Sequence, residues 1–136
     1  MRSRLTPKER DYLAEARVCR IASAGREGWV HAAPLSHAYD TRRRTLYVAT
    51  DPGGRTARNL RARPRAAVVC DDYYEDWRRI RGMVVRVRAH AVRSGPELER
   101  ARALLKQKFR QYRTYDLDCV IALRVEQVTS WGLEVR

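Results

Sequence analysis

The run GMVVRVRAHAV (82–92) alternates over its length, with Val85, Val87, Ala89 and Ala91 on one side and Arg86, Arg88 and His90 on the other. A period of two over so long a span predicts a long β-strand with one buried and one wet face. The rest of the chain must then supply partners for that strand.

Shorter runs do so. RVCRIAS (17–23) and WVHAAPL (29–35) flank the Gly-containing turn AGREG (24–28) and read as a hairpin. After a turn at 40–44, TLYVAT (45–50) sets Leu46, Val48 and Thr50 against Tyr47 and Ala49, which reads as a third strand of a meander. RAAVVCD (65–71) is a fourth, and CVIALRVEQVTSWG (119–132) a last strand, broken near Glu126 and Gln127. Thr6-Pro7-Lys8-Glu9 is a capping box that opens a helix reaching about Ala16. Ser94-Gly95-Pro96-Glu97 is a second box, opening a longer helix with Leu98, Ala101, Leu105 and Phe109 on one face and an end near Tyr112. A short helix, 56–62, stops before Pro64. Short strands without a helix between each pair predict a mainly β fold: a small antiparallel split barrel of about six strands, with an N-terminal helix and one longer helix before the last strand.

At 136 residues the chain is expected to form one domain, 1–136, with a single core. No stretch approaches the length of a membrane span, and MRSRLTPKERDYL lacks the apolar core of a signal peptide, so a cytoplasmic protein without membrane partners is expected. Cys19, Cys70 and Cys119 lie far apart in apolar runs, which suits reduced, buried thiols and neither a disulfide framework nor a zinc site. The net charge of +13 raises nucleic acid as a partner. Yet the basic residues are spread through TRRR, RARPR, WRRIR and VRVRA, and only Lys8, Lys106 and Lys108 are lysines. An anionic small molecule is the favoured use of that charge, and nucleic acid the lesser one.

His31, His37 and His90 fall on different segments without hydrolytic or metal-ligand spacing, so no metal and no catalytic triad is expected. Asp71, Asp72, Glu75 and Asp76 are interleaved with Arg78, Arg79 and Arg81 and read as a locally paired knot. The stretch ATDPGGRTARNLRARPRAAVVCDD (49–72) carries the best functional signal. Gly53 and Gly54 allow backbone N–H groups to turn toward a ligand, Arg55 and Thr56 stand at a helix start, and Thr50 and Asn59 add hydrogen-bonding groups. These residues suit a phosphate site, and they equally suit a plain turn, helix and strand.

The order of segments resembles the pyridoxamine 5'-phosphate oxidase-like split-barrel flavoproteins over nearly the whole chain, most of all in RNLRARPRAAVV, with YEDW resembling a deazaflavin-dependent subgroup. The resemblance implies an oxidoreductase that binds FMN, or alternatively the deazaflavin coenzyme F-420, and moves a hydride to or from a small-molecule substrate. It implies a phosphate grip at Arg55, Thr56, Asn59 and Thr50. The flavin ring is implied along His31, Pro34, Leu35 and Ser36 and along the third strand at Val48. It also implies a homodimer with cofactor sites at the subunit interface, where Trp77, Arg79 and Trp131 close the site across the dimer. Many relatives carry Lys where Arg55 stands, and the chain lacks the C-terminal extension of pyridoxamine phosphate oxidases proper, so that substrate is not expected. The catalytic residues stay unassigned. Two other readings stand beside this one: a non-catalytic flavin, haem or tetrapyrrole-binding barrel, and a basic nucleic-acid-binding barrel.

Overall fold

The first capping box forms as its sequence directs. In the computed structural model, which describes residues 1–133, helix α1 spans Pro7–Glu15. Glu9 N–H donates to Thr6 Oγ1 at 3.2 Å and Thr6 N–H donates to Glu9 Oε1 at 2.8 Å.

The strands are β1 (Val18–Ala24), β2 (Val30–Asp40), β3 (Thr45–Ala49), β4 (Arg65–Asp72), β5 (Arg81–Val92) and β6 (Val120–Trp131). All neighbours are antiparallel, and the sheet closes on itself in the order β1-β2-β3-β6-β5-β4. The fold is thus mainly β, a six-strand barrel with α1 ahead of it and a longer helix, α3 (Gly95–Lys108), before the last strand. Its interior is filled by alternate side chains such as Ile21, Val68, Met83, Val85, Leu123 and Val128.

Two short helices pack at opposite ends. At one end, α1 inserts Tyr12 and Leu13 into the core, with Glu9 beside Ser130 of β6. At the other, α2 (Arg55–Ala62) inserts Ala57 and Leu60, and Asn59 Nδ2 donates to Ser23 Oγ of β1 at 3.1 Å. Helix α3 lies outside the barrel, where Leu98, Ala101 and Leu105 pack on Ala38, Tyr47, Val92 and Ala122. Lys108 pins its C-terminal end by donating to the carbonyls of Ala16 and His37.

Several local expectations are corrected. Leu46, Tyr47 and Val48 of β3 are all buried, because α3 covers the face that alternation had left wet. Ala91 is exposed and Val92 takes its place in the core beneath α3. β6 does not break at Glu126: the strand runs on, and Glu126 is the extra residue of a bulge where the partner of Arg86 is Gln127 and that of Val87 is Val125. The second capping box is not made. Glu97 instead accepts from Tyr47 Oη at 2.9 Å and lies 2.8 Å from His90 Nε2, so Ser94 is an N-cap without a side-chain bond.

Candidate functional site

Helix α2 carries Arg55, Arg58, Asn59 and Ala62 at three- and four-residue spacing, which puts them on one face. That face forms one wall of an open cleft of about 930 Å³. Opposite it stand Gly25, Arg26, Glu27 and Trp29 of the β1–β2 turn and Val30 and His31 of β2. Arg63 completes the lining and holds α2 to the barrel by donating to the Ala24 carbonyl at 3.0 Å.

Charge in this cleft is unbalanced. Arg26, Arg55, Arg58 and Arg63 face a single carboxylate, Glu27. Among the described residues, the side chains of Arg26, Arg55 and Arg58 make no hydrogen bond or ion pair. Helix α2 begins at Gly54 with no side-chain cap, so its dipole adds positive potential at the same place. The glycine amides, by contrast, are not free for a ligand: Gly53 N–H donates to Asp51 Oδ1 and Gly54 N–H to the Asp51 carbonyl, each at 3.0 Å. Asp51 therefore shapes the turn, and the guanidinium groups supply the attraction.

Through Val30 the cleft meets a shallower groove of about 710 Å³ on the outer face of the barrel. Its floor is made of Ala22, Ala24 and Ala67, with Arg65 and Arg86 at its side. Around it the outer faces of β1 and β2 expose apolar side chains, with Val30 at 67% and Trp29 at 77% exposure. A surface of small and apolar side chains beside a basic cleft can accept a flat molecule with an anionic tail.

The structure brings Arg55, Asn59 and His31 together at the cleft, while Thr56 is buried beneath them. Thr50 lies elsewhere, in a recess with Ala49, Tyr112, Tyr115 and Cys119, its N–H donating to the Cys119 carbonyl at 3.1 Å. Val48 is fully buried in the barrel interior and packs against core neighbours, so the placement of a ring against it is corrected. Leu35 packs against the core, and Pro34 and Ser36 lie on the opposite, outer face of β2. Trp77, Arg79 and Trp131 gather at the far end of β5. Trp77 Nε1 donates to Tyr73 Oη at 3.2 Å, Arg79 sits over the Tyr74 ring at 4.2 Å, and Trp131 lies against Gly82. Seven residues of β5 separate Gly82 from Ala89 beside α2, roughly 20 Å of strand. The sequence reading missed Arg26, Trp29 and Arg58. The i, i+3, i+4 spacing in RTARNLRA held the signal for Arg58.

Elsewhere the ionisable groups are structural. The acidic knot is paired: Asp76 with Arg78, Asp72 with Arg81, and Asp71 with Arg20 of β1. Cys19 and Cys70 are buried, and burial pushes their thiols up to about 12 and about 11, away from the reactive thiolate. Cys119 is only half-buried, and all three cysteines are free. His37 lies within hydrogen-bonding distance of the Leu13 carbonyl, 2.8 Å from Nε2, and its Nδ1 has no partner. Burial, reinforced by Lys108, lowers its pKa to about 4. Among the described residues, no group of three His, Cys, Asp or Glu is arranged to hold a metal, and no helix is long and apolar enough to cross a membrane.

Known proteins share this architecture. The model of a family described as pyridoxamine 5'-phosphate oxidase matches residues 5–132. The chain is 28% identical over 132 residues to a 5a,11a-dehydrotetracycline/5a,11a-dehydrooxytetracycline reductase of Streptomyces rimosus, covering 95% of this chain and 84% of that one. Among solved structures, a heme binding protein from Mycobacterium smegmatis superposes with a TM-score of 0.80 at 22% identity, over 98% of this chain and 57% of that one. A FAD-binding protein from Mesorhizobium loti does so with a TM-score of 0.72 at 24% identity, over 93% and 92%.

Proposed function

The chain belongs to the pyridoxamine 5'-phosphate oxidase family, and from that premise we propose that it is an FMN-dependent oxidoreductase acting on a small organic substrate. The observation that carries this reading is the cleft at α2, where Arg26, Arg55 and Arg58 stand beside Asn59 and His31 without an acidic partner among the described residues. Those residues fit a flavin phosphate. Arg55 and Arg58 would hold it through bidentate hydrogen bonds, Arg26 would close over it from the opposite wall, and Trp29 would screen it from water. When bound, the flavin supplies hydride transfer, which no side chain can. The reductase name of the Streptomyces rimosus relative supports turnover over carriage alone.

The apolar outer face of β1 and β2, which includes Val18, Val30 and the alanine floor, supports a homodimer as part of the same proposal. A second copy on that face would cover the groove. It would also offer the only route by which Trp77, Arg79 or Trp131 reaches a cofactor. The free cysteines suit the reducing cytoplasm expected for such an enzyme.

Titration of the purified protein with FMN, deazaflavin F-420 and haemin, followed by absorption and Trp fluorescence, tests the reading. FMN is expected to bind with saturation and then to be reduced and reoxidised by a candidate substrate. Saturable binding of deazaflavin alone changes the cofactor and keeps the chemistry. Haemin binding alone, or a flavin that never changes redox state, makes the protein a carrier.

A further inference from the structure

On the outer wall of the barrel, the register of the sheet sets three arginines abreast. Arg65 of β4 is the direct partner of Arg88 of β5, and Arg88 is the direct partner of Arg124 of β6. Direct partners share a face, and all three side chains are exposed on the outside of the barrel. With neighbouring strands about 4.8 Å apart, the row is roughly 10 Å wide. Arg86 stands one step along β5 from the same face, with Nη1 donating to Gln127 Oε1 at 3.1 Å. Among the described residues, the side chains of Arg65, Arg88 and Arg124 make no hydrogen bond or ion pair. Glu126, carried on the bulge of β6, lines the same groove as Arg65 and Arg86, and among the described residues it makes no ion pair with either.

Like charges placed directly opposite one another on a sheet destabilise it, so this row costs the free protein stability and calls for an anion to offset it. We infer that the row Arg65–Arg88–Arg124, with Arg86, is a second anion site that binds a short oligophosphate chain. Guanidinium forks match phosphate oxygens in pairs, and three forks side by side match three linked phosphoryl groups. The residues flanking the row on the same face include Ala67, Gln127, Thr45 and His90, and His90 Nε2 lies 2.8 Å from Glu97 Oε1. His90, engaged by Glu97, is a single ring, and a strand of nucleic acid needs successive aromatic platforms on which to stack its bases. Arg65 and Arg86 also line the groove beside the cofactor cleft, so Arg88 and Arg124, which line neither groove nor cleft, are the residues that separate this assignment from the flavin reading.

Isothermal titration with inorganic tripolyphosphate, orthophosphate, ATP and a short oligonucleotide tests this, using the wild-type chain, Arg88→Gln, Arg124→Gln and Arg55→Ala. Tripolyphosphate is expected to bind wild type well above orthophosphate. Both row variants should weaken it by about tenfold or more, the loss of one charged hydrogen-bonding group, while Arg55→Ala leaves it unchanged. Equal affinity for ATP and tripolyphosphate identifies the bare chain as the ligand; tighter ATP binding identifies a nucleoside triphosphate. Arg88→Gln should also raise the melting temperature of the unliganded protein at low salt, and tripolyphosphate should remove that advantage. The inference is overturned if both row variants bind tripolyphosphate like wild type. Loss confined to Arg55→Ala, or oligonucleotide binding without tripolyphosphate binding, overturns it equally. FMN affinity should be the same in Arg88→Gln as in wild type, so failure here is separable from failure of the cofactor reading.

Discussion

At the α1 end of the barrel, Glu9 is fully buried and receives Arg2 Nη2 at 2.6 Å, Arg2 Nη1 at 3.1 Å, the Ser130 hydroxyl and the Thr6 amide. At the α2 end, Arg26, Arg55 and Arg58 stand in an open cleft with no such partners among the described residues. Both ends concentrate charge on a short helix. The first satisfies that charge inside the chain and converts it into stability; the second leaves it unsatisfied, so its free energy is released only when an anion arrives. The difference separates a charge that holds the fold from one that serves a ligand, in a protein whose net charge of +13 alone distinguishes nothing.

Acid should expose the contrast most strongly. Burial alone would raise the Glu9 pKa, but hydrogen bonds from Arg2, Ser130 and the Thr6 amide outweigh it and bring the carboxyl from 4.5 to about 2. His37, kept neutral by burial, falls from 6.5 to about 4. Both folded values lie below the unfolded ones, so both contributions are complete above pH 6.5. The share from His37 is lost between pH 6.5 and about 4, and that from Glu9 between 4.5 and about 2. Urea unfolding over this range should show a combined decline on the order of 5 kcal/mol, and His37→Gln should flatten its upper part. A flat profile from pH 6.5 to 3 would break the comparison.

Next in size, Glu9→Ala should destabilise the protein by about 3 kcal/mol, because it strips the partner from a buried network and uncaps α1. Arg55→Ala should change stability by no more than about 0.5 kcal/mol, as an exposed, unpaired side chain. Equal costs for the two would sink the distinction. For ligand binding the ranking reverses. Arg55→Ala should weaken FMN binding by about 1.5–3 kcal/mol, and Glu9→Gln should leave it unchanged wherever the variant is folded. Smaller than the Arg55 effect on binding, the loss in Arg26→Ala, at the rim, should be about 1 kcal/mol of FMN affinity or less and become undetectable at high salt.

The α1 end was largely legible beforehand, since a capping box is a local pattern and Thr6 and Glu9 are three residues apart. The long strand β5 was legible for the same reason. Its tail was not: Ala91 and Val92 exchange roles because α3 covers that end, and a covering helix leaves no trace in the strand's own alternation. Glu97 lost its expected cap to Tyr47 and His90, partners remote from it in sequence or on another element. The cleft was half legible. Arg55 and Asn59 lie in one motif with Arg58, whereas Arg26 and Trp29 come from the β1–β2 turn and His31 from β2, and only closure of the barrel brings the two segments face to face. Thr50 and Val48 looked plausible because they are near in sequence, but the turn at Asp51 sends them to another side and to the interior.

β6 is hydrogen-bonded to β3 on one side and to β5 on the other, and it follows the other five strands of the ring in sequence. A nascent chain emerging from the ribosome therefore holds five strands that cannot close a ring, with β3 and β5 both presenting bare edges and Leu46 and Val48 without their cover. Until residues 120–131 are delivered, the molecule is open to pairing with a neighbour, and closure waits on contacts between distant parts of the chain. Truncation within that strand should therefore yield insoluble protein instead of a weakened barrel.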